Sequence, residues 1–113
     1  MASLRALCGQ APLVLQWPLL YANNELAGQG TLLRVSGAEC HVAGTMPVAS
    51  GMVMQVWIFP PNRNDALYVR EARVLWAQTN EFALELRELD HKDHQWLMRF
   101  FKACGHRFRQ ARA

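Results

Sequence analysis

Between Leu67 and Leu89 the chain reads LYVREARVLWAQTNEFALELREL, and no other stretch constrains the fold as tightly. Ala72, Val74 and Trp76 alternate with Arg73 and Leu75. After Gln78-Thr79-Asn80, Phe82, Leu84 and Leu86 alternate with Ala83, Glu85 and Arg87. A period of two sends successive side chains to opposite faces of a sheet. Two such runs joined by an Asn- and Thr-containing turn define a β-hairpin. Upstream the phase changes: Leu67 and Val69 fall on odd positions, Ala72 and Val74 on even ones. One extra residue at Arg70-Glu71 reconciles the two, so a β-bulge is expected there.

The rest of the chain supplies four more strands and a helix. Leu13–Tyr21 (LVLQWPLLY) is a first strand, and Pro18, which has no N–H to donate, predicts a sheet edge or a bend. Asn23-Asn24 turns into Leu26–Ser36, where Gly28 and Gly30 permit strong curvature. Glu39–Ala43 is a short third strand with Cys40 and Val42 on one face and His41 on the other. A loop from Gly44 to Gly51 precedes Met52–Phe59 (MVMQVWIF), the most apolar run, which reads as a strand buried on both faces. Pro60–Asp65 is a loop. Asp90 is placed to cap a helix, with Asp93 three residues on. Leu97, Phe100, Phe101, Cys104 and Phe108 then recur at i, i+3, i+4, i+7 and i+11, one apolar helical face that Gly105 is placed to interrupt.

Six short strands at even spacing followed by one helix predict a mostly β domain: an antiparallel barrel with a C-terminal amphipathic α-helix. The length of 113 residues suits one core. Residues 1–12 read as a loose lead-in, 13–104 as the barrel and helix, and 105–113 as a basic tail.

Composition excludes more than it assigns. Half of the residues are hydrophobic, 51%, and 19% are charged, as in an ordinary globular domain. The net charge of +3 is concentrated near the end, in Lys102, Arg107, Arg109 and Arg112. Such a tail is a solvated terminus, or a contact for nucleic acid or acidic lipid. Three separated cysteines, Cys8, Cys40 and Cys104, argue against a disulfide framework and fit a reducing, cytoplasmic setting. His91 and His94 are three apart without a third ligand nearby, and no CxxC or HxxxH spacing exists, so no metal is expected. No apolar run is long enough to span a bilayer, and Gln16-Trp17-Pro18 interrupts the N-terminal apolar segment where a signal peptide would need its apolar centre. Ser36 has no His and acid beside it in sequence, so no enzyme chemistry is expected.

Several short motifs, in order, resemble the PilZ domain. They are Gly30-Thr31-Leu32-Leu33-Arg34-Val35-Ser36, Cys40-His41-Val42, the Pro47-to-Gly51 loop, Glu71-Ala72-Arg73-Val74-Leu75-Trp76, Phe82–Leu86, and Leu89-Asp90 leading into the helix. The resemblance spans roughly residues 13–101. The resemblance implies a six-stranded antiparallel PilZ-like barrel with a C-terminal helix. It also implies a role in bacterial cyclic di-GMP signalling, cyclic di-GMP being the family's ligand. The family binds it with an R-x-x-x-R motif before the first strand and a (D/N)-x-S-x-x-G motif after the second. Here only Arg5 stands in the lead-in, with Gly9 four residues on, and the second motif aligns with Arg34-x-Ser36-x-x-Glu39. The ligand-binding candidates are therefore Arg5, Arg34, Ser36 and Glu39.

Glu39 puts a negative charge where the family brings backbone close to an anionic ligand, which opposes binding. Arg34 either contacts a phosphate directly or pairs with Glu39 across the turn. The resulting expectation is a stand-alone adaptor module with a degenerate nucleotide site, no cofactor of its own, and a protein partner. Trp96, Arg107 and Arg109 are the partner-contact candidates. A receptor with a rewired site (Arg5, Arg34, Ser36) is the alternative, and a barrel binding single-stranded nucleic acid through its basic tail and exposed aromatics is a third reading. Trp57 and Trp76, in strongly apolar runs, are expected in the core.

Overall fold

Each of the period-two stretches becomes a strand in the computed structural model, which describes residues 12–105. The strands are β1 (Leu13–Ala22), β2 (Ala27–Ser36), β3 (Glu39–Gly44), β4 (Val53–Ile58), β5 (Leu67–Ala77) and β6 (Glu81–Leu89), and a helix α1 (His91–Ala103) follows. The strands pair antiparallel in the order β1-β2-β3-β6-β5-β4, and β4 returns to β1 to close the barrel. The expected architecture is therefore the observed one.

Closure removes every sheet edge, so Pro18 does not mark one. It pairs with Thr31 of β2 inside the closed ladder. The bend in β1 lies just before it, where the register shifts between Val14 and Trp17 and Gln16 takes a left-handed φ of 62°. This bulge turns Trp17 inward, leaving it only 3% exposed.

The interior is filled by alternate residues: Leu19 and Tyr21 of β1, Leu32 and Val35 of β2, Cys40 and Val42 of β3, Val69, Ala72 and Val74 of β5, and Phe82, Leu84 and Leu86 of β6. β4 contributes Met54, Val56 and Ile58. Its apolar run suggested burial on both faces, but Val53 and Gln55 are exposed and Trp57 is only half-buried. A closed barrel has one interior, and the helix leaves the outside of β4 uncovered.

The bulge expected at Arg70-Glu71 is present: the β5–β6 register shifts at Glu71, which faces Glu88. A second shift between Val74 and Trp76 was not anticipated. It carries Trp76 to the outer surface, so neither Trp57 nor Trp76 is core. The amphipathic bodies of both rings lie half-buried on the barrel wall.

The two barrel ends are closed differently. At one, the Tyr21 hydroxyl donates to the Met46 carbonyl at 2.6 Å and accepts from the Met46 N–H at 2.8 Å. This fastens the loop after β3 over the opening. Gly30 packs so closely on the Ala43–Gly44 backbone that a β-carbon there would collide with it. Glycine is thus needed for strand approach as well as for curvature.

At the other end α1 inserts Leu97 and Phe101 into the core. Trp17 meets Phe100 at 5.0 Å and Trp96 at 6.2 Å between ring centroids. Asp90 sits at the helix N-cap but its side chain makes no capping bond. Asp93 is used instead to tie the helix to the barrel: its carboxylate accepts from the Tyr68 N–H at 3.2 Å and from Arg63 at 2.9 Å. Gly105, with φ 73°, donates its N–H to the Lys102 carbonyl and ends the helix as expected. Among the described residues no helix is long and apolar enough to cross a membrane.

Candidate functional site

Strands β2, β3, β6 and β5 form one side of the barrel, and their outward positions hold the polar cluster that the sequence singled out. Arg34 on β2 stands beside His41 on β3, which stands beside Ala83 on β6, which stands beside Trp76 on β5. Ala83 is fully buried although it points outward, because the His41 and Trp76 rings close over it, edge to face at 5.4 Å. The small side chain at 83 makes that contact sterically accessible.

Glu39 is the hub of this cluster. Its Oε1 lies 3.2 Å from His41 Nε2 and accepts from Trp76 Nε1 at 3.4 Å. His41 Nδ1 is buried and has no hydrogen-bond partner among the described residues. Arg34 does not reach Glu39. It pairs instead with Glu81 at 3.7 Å, across two strand boundaries. Both alternatives raised by the sequence for Arg34, a phosphate contact or a bridge to Glu39, overlooked Glu81. Only the β2–β3–β6 order brings Glu81, at the start of the last strand, near Arg34.

The same wall carries Arg87 between Glu85 at 3.1 Å and Glu71 at 3.4 Å. Four carboxylates (Glu39, Glu71, Glu81, Glu85) thus face two guanidiniums, both engaged. Opposite charges so placed offset one another locally and leave little positive potential for a second anion. Ser36 pairs with Glu39 across the β2–β3 turn, and its hydroxyl caps no backbone group there among the described residues. Arg5 lies outside the described residues, as do Arg107 and Arg109.

Trp96, the remaining partner-contact candidate, is only partly free. It stacks on Phe100 at 5.5 Å with the rings 9° apart, and Arg63 lies over its face at 5.1 Å. Its outer edge opens onto a cleft of about 270 Å³ shared with Asn62, Arg99 and Phe100. The ring therefore serves first to seat the helix.

Cys40, inside the barrel behind His41, has its thiol pushed up to about 12, first by burial and then by the Glu39 charge. It is a core side chain with no nucleophilic character at neutral pH. No group of three or more His, Cys, Asp or Glu suited to a metal ion occurs among the described residues. Compared with known proteins, the chain matches no family model, no curated sequence and no solved structure.

Proposed function

We propose that this protein is a PilZ-like binding and adaptor module of bacterial cyclic di-GMP signalling, non-catalytic, with a degenerate nucleotide site and a protein partner. One observation carries the reading. Arg34, the basic residue at the position corresponding to the ligand motif, is held by Glu81, and Glu39 fills the place of the motif's glycine with a carboxylate engaged by His41 and Trp76. A ligand with two phosphates would have to displace Glu81 and approach Glu39 against like charge. The closed barrel with its terminal helix is the architecture that the resemblance implies, and the short motifs supply the link to the pathway.

A rewired receptor is the second reading. It is favoured by the looseness of the Arg34–Glu81 pair, at 3.7 Å with both side chains about one-third exposed. Such surface pairs hold by no more than about 1 kcal/mol, so a strong anion could take Arg34 over.

Calorimetric titration with cyclic di-GMP at moderate salt separates the two. No heat at high ligand, from protein shown to be folded, supports the adaptor. Micromolar or tighter binding that weakens in Arg34→Ala and Ser36→Ala makes the protein a receptor.

A further inference from the structure

Next to the ion-paired wall, and sharing β5 with it, the barrel presents a second outer wall, built by β1, β4 and the first half of β5. Leu20 pairs with Gln29 of β2 on one side and with Trp57 of β4 on the other, and Trp57 pairs with Tyr68 of β5. These outward side chains form one row across four strands. The Trp57 and Tyr68 rings lie 5.4 Å apart, tilted by 30°, and Gln55 donates to the Tyr68 hydroxyl at 3.0 Å. Phe59 flanks the row, its N–H donating to the Pro18 carbonyl at 2.9 Å. Pro18, Leu20, Thr31 and Phe59 line a cleft of about 480 Å³.

Outward positions of an antiparallel barrel are ordinarily polar. Here Leu20 is 43% exposed, Val53 48% and Phe59 39%. Leu20, Trp57 and Phe59 adjoin one another, with Val53 beyond Gln55, and an exposed apolar patch of this kind marks a surface that another molecule covers.

The charges beside it say what kind of molecule. Neither β1 nor β4 contains an Asp or Glu. Arg70 and Arg73 stand exposed on β5, Arg73 between Val53 of β4 and Glu85 of β6, whose carboxylate Arg87 takes. Arg34, Arg63 and Arg87 each hold a carboxylate, whereas Arg70 and Arg73 hold none among the described residues.

We propose that this wall docks an acidic, apolar peptide segment of another protein: its apolar side chains lie on the Leu20–Trp57–Phe59 surface and its carboxylates meet Arg70 and Arg73. The inference rests on the reading of the protein as a binding module and names the face and the partner chemistry. Nucleic acid fits less well. Leu20 and Val53 are aliphatic and offer nothing for base stacking, and Trp57 already packs against Tyr68. A second copy also fits less well, because the carboxylates on the ion-paired wall are committed to their own arginines and His41.

The test is selection of displayed random peptides on the folded full-length protein, followed by affinity measurement of the enriched sequences. Enriched peptides are expected to combine net negative charge with Leu, Phe or Trp. Their affinity should fall by about tenfold or more in Leu20→Glu and in Arg70→Glu, as truncation at an interface centre does, and stay unchanged in Arg34→Ala. Neutral or basic winners, no enrichment, or affinities indifferent to Leu20 and Arg70 overturn the proposal. So does an oligonucleotide, or a second copy, that occupies the wall instead. Enriched peptides that map to the helix or the ion-paired wall remove this surface but leave the binding-module reading intact. Tight cyclic di-GMP binding with no peptide enrichment removes both.

Discussion

Arg63 donates to the Asp93 carboxylate across 2.9 Å, joining the loop between β4 and β5 to the first turn of α1. Both side chains are largely shielded, at 17% and 14% exposure, and the second carboxylate oxygen accepts from the Tyr68 N–H. A charged bond in such a place is worth more than an exposed pair. Asp93→Ala should lower unfolding free energy by about 1–3 kcal/mol. Asp93→Asn, which keeps an acceptor for Tyr68, should cost less. Urea unfolding of the two variants checks the order, and an equal loss would show that the acceptor to Tyr68 is irrelevant.

At the opposite barrel end, Tyr21→Phe removes both bonds to Met46 while retaining the ring. The Met46 N–H and carbonyl are then left to find water or go unpaired, a cost of about 1–3 kcal/mol. Gly30→Ala should be harsher, because the clash is with backbone of β3 and not with a movable side chain. Thermal melts of the two variants test the ranking.

Cys40 makes a prediction about alkaline pH. Its thiol is pushed up from 9.0 to about 12 in the folded protein. Below pH 9.0 the thiol is protonated folded or unfolded, so its full contribution to stability is present. Above that, the unfolded chain releases the proton while the folded one keeps it. Stability should therefore fall as pH rises from 9.0 towards 12, at a limiting slope of about 1.4 kcal/mol per pH unit. Cys40→Ala should flatten that slope. In the native protein, mass-spectrometric mapping after alkylation should find Cys104, which is exposed, modified and Cys40 untouched.

The ion-paired wall can be inverted. Glu81→Gln frees Arg34, and Glu39→Gly removes the carboxylate at the motif's glycine position. If the proposed nucleotide site exists and charge is what weakens it, the double variant should bind cyclic di-GMP at least about tenfold more tightly than the parent, a gain of one 1.4 kcal/mol step. Titration of both proteins decides it, and equal affinities would mean that the missing second arginine of the lead-in is the larger defect.

The strands were legible because alternation survives almost everywhere in β2, β3, β5 and β6, and the bulge at Glu71 left a phase change in the pattern itself. Trp57 and Trp76 were misplaced for two different reasons. Around Trp57 the outward positions of β4 include Val53 and Trp57 beside the single polar Gln55, so periodicity carries little sign of which face is which. Trp76 keeps the inward phase in sequence, and a bulge that leaves no composition mark rotates it outward.

The site was less legible than the fold. Arg34 and Glu81 are far apart in sequence and meet only because β3 pairs with β6 rather than with β4. The contact of Trp76 with Glu39 depends on the same non-sequential pairing together with that bulge. Asp90 satisfied the local rule for a cap, yet Asp93 took the tertiary work, since only it lies within reach of Arg63 and Tyr68.

The return of β4 to β1 has a further consequence for how recognition can change over time. Every strand has hydrogen-bonded neighbours on both sides, so no backbone ladder is open to an incoming strand. A partner must read side chains, and those on the outer wall bear little of the packing that holds the barrel together. Specificity in such a molecule can be rewritten by single substitutions at positions like Leu20 or Arg70, while the scaffold beneath stays the same.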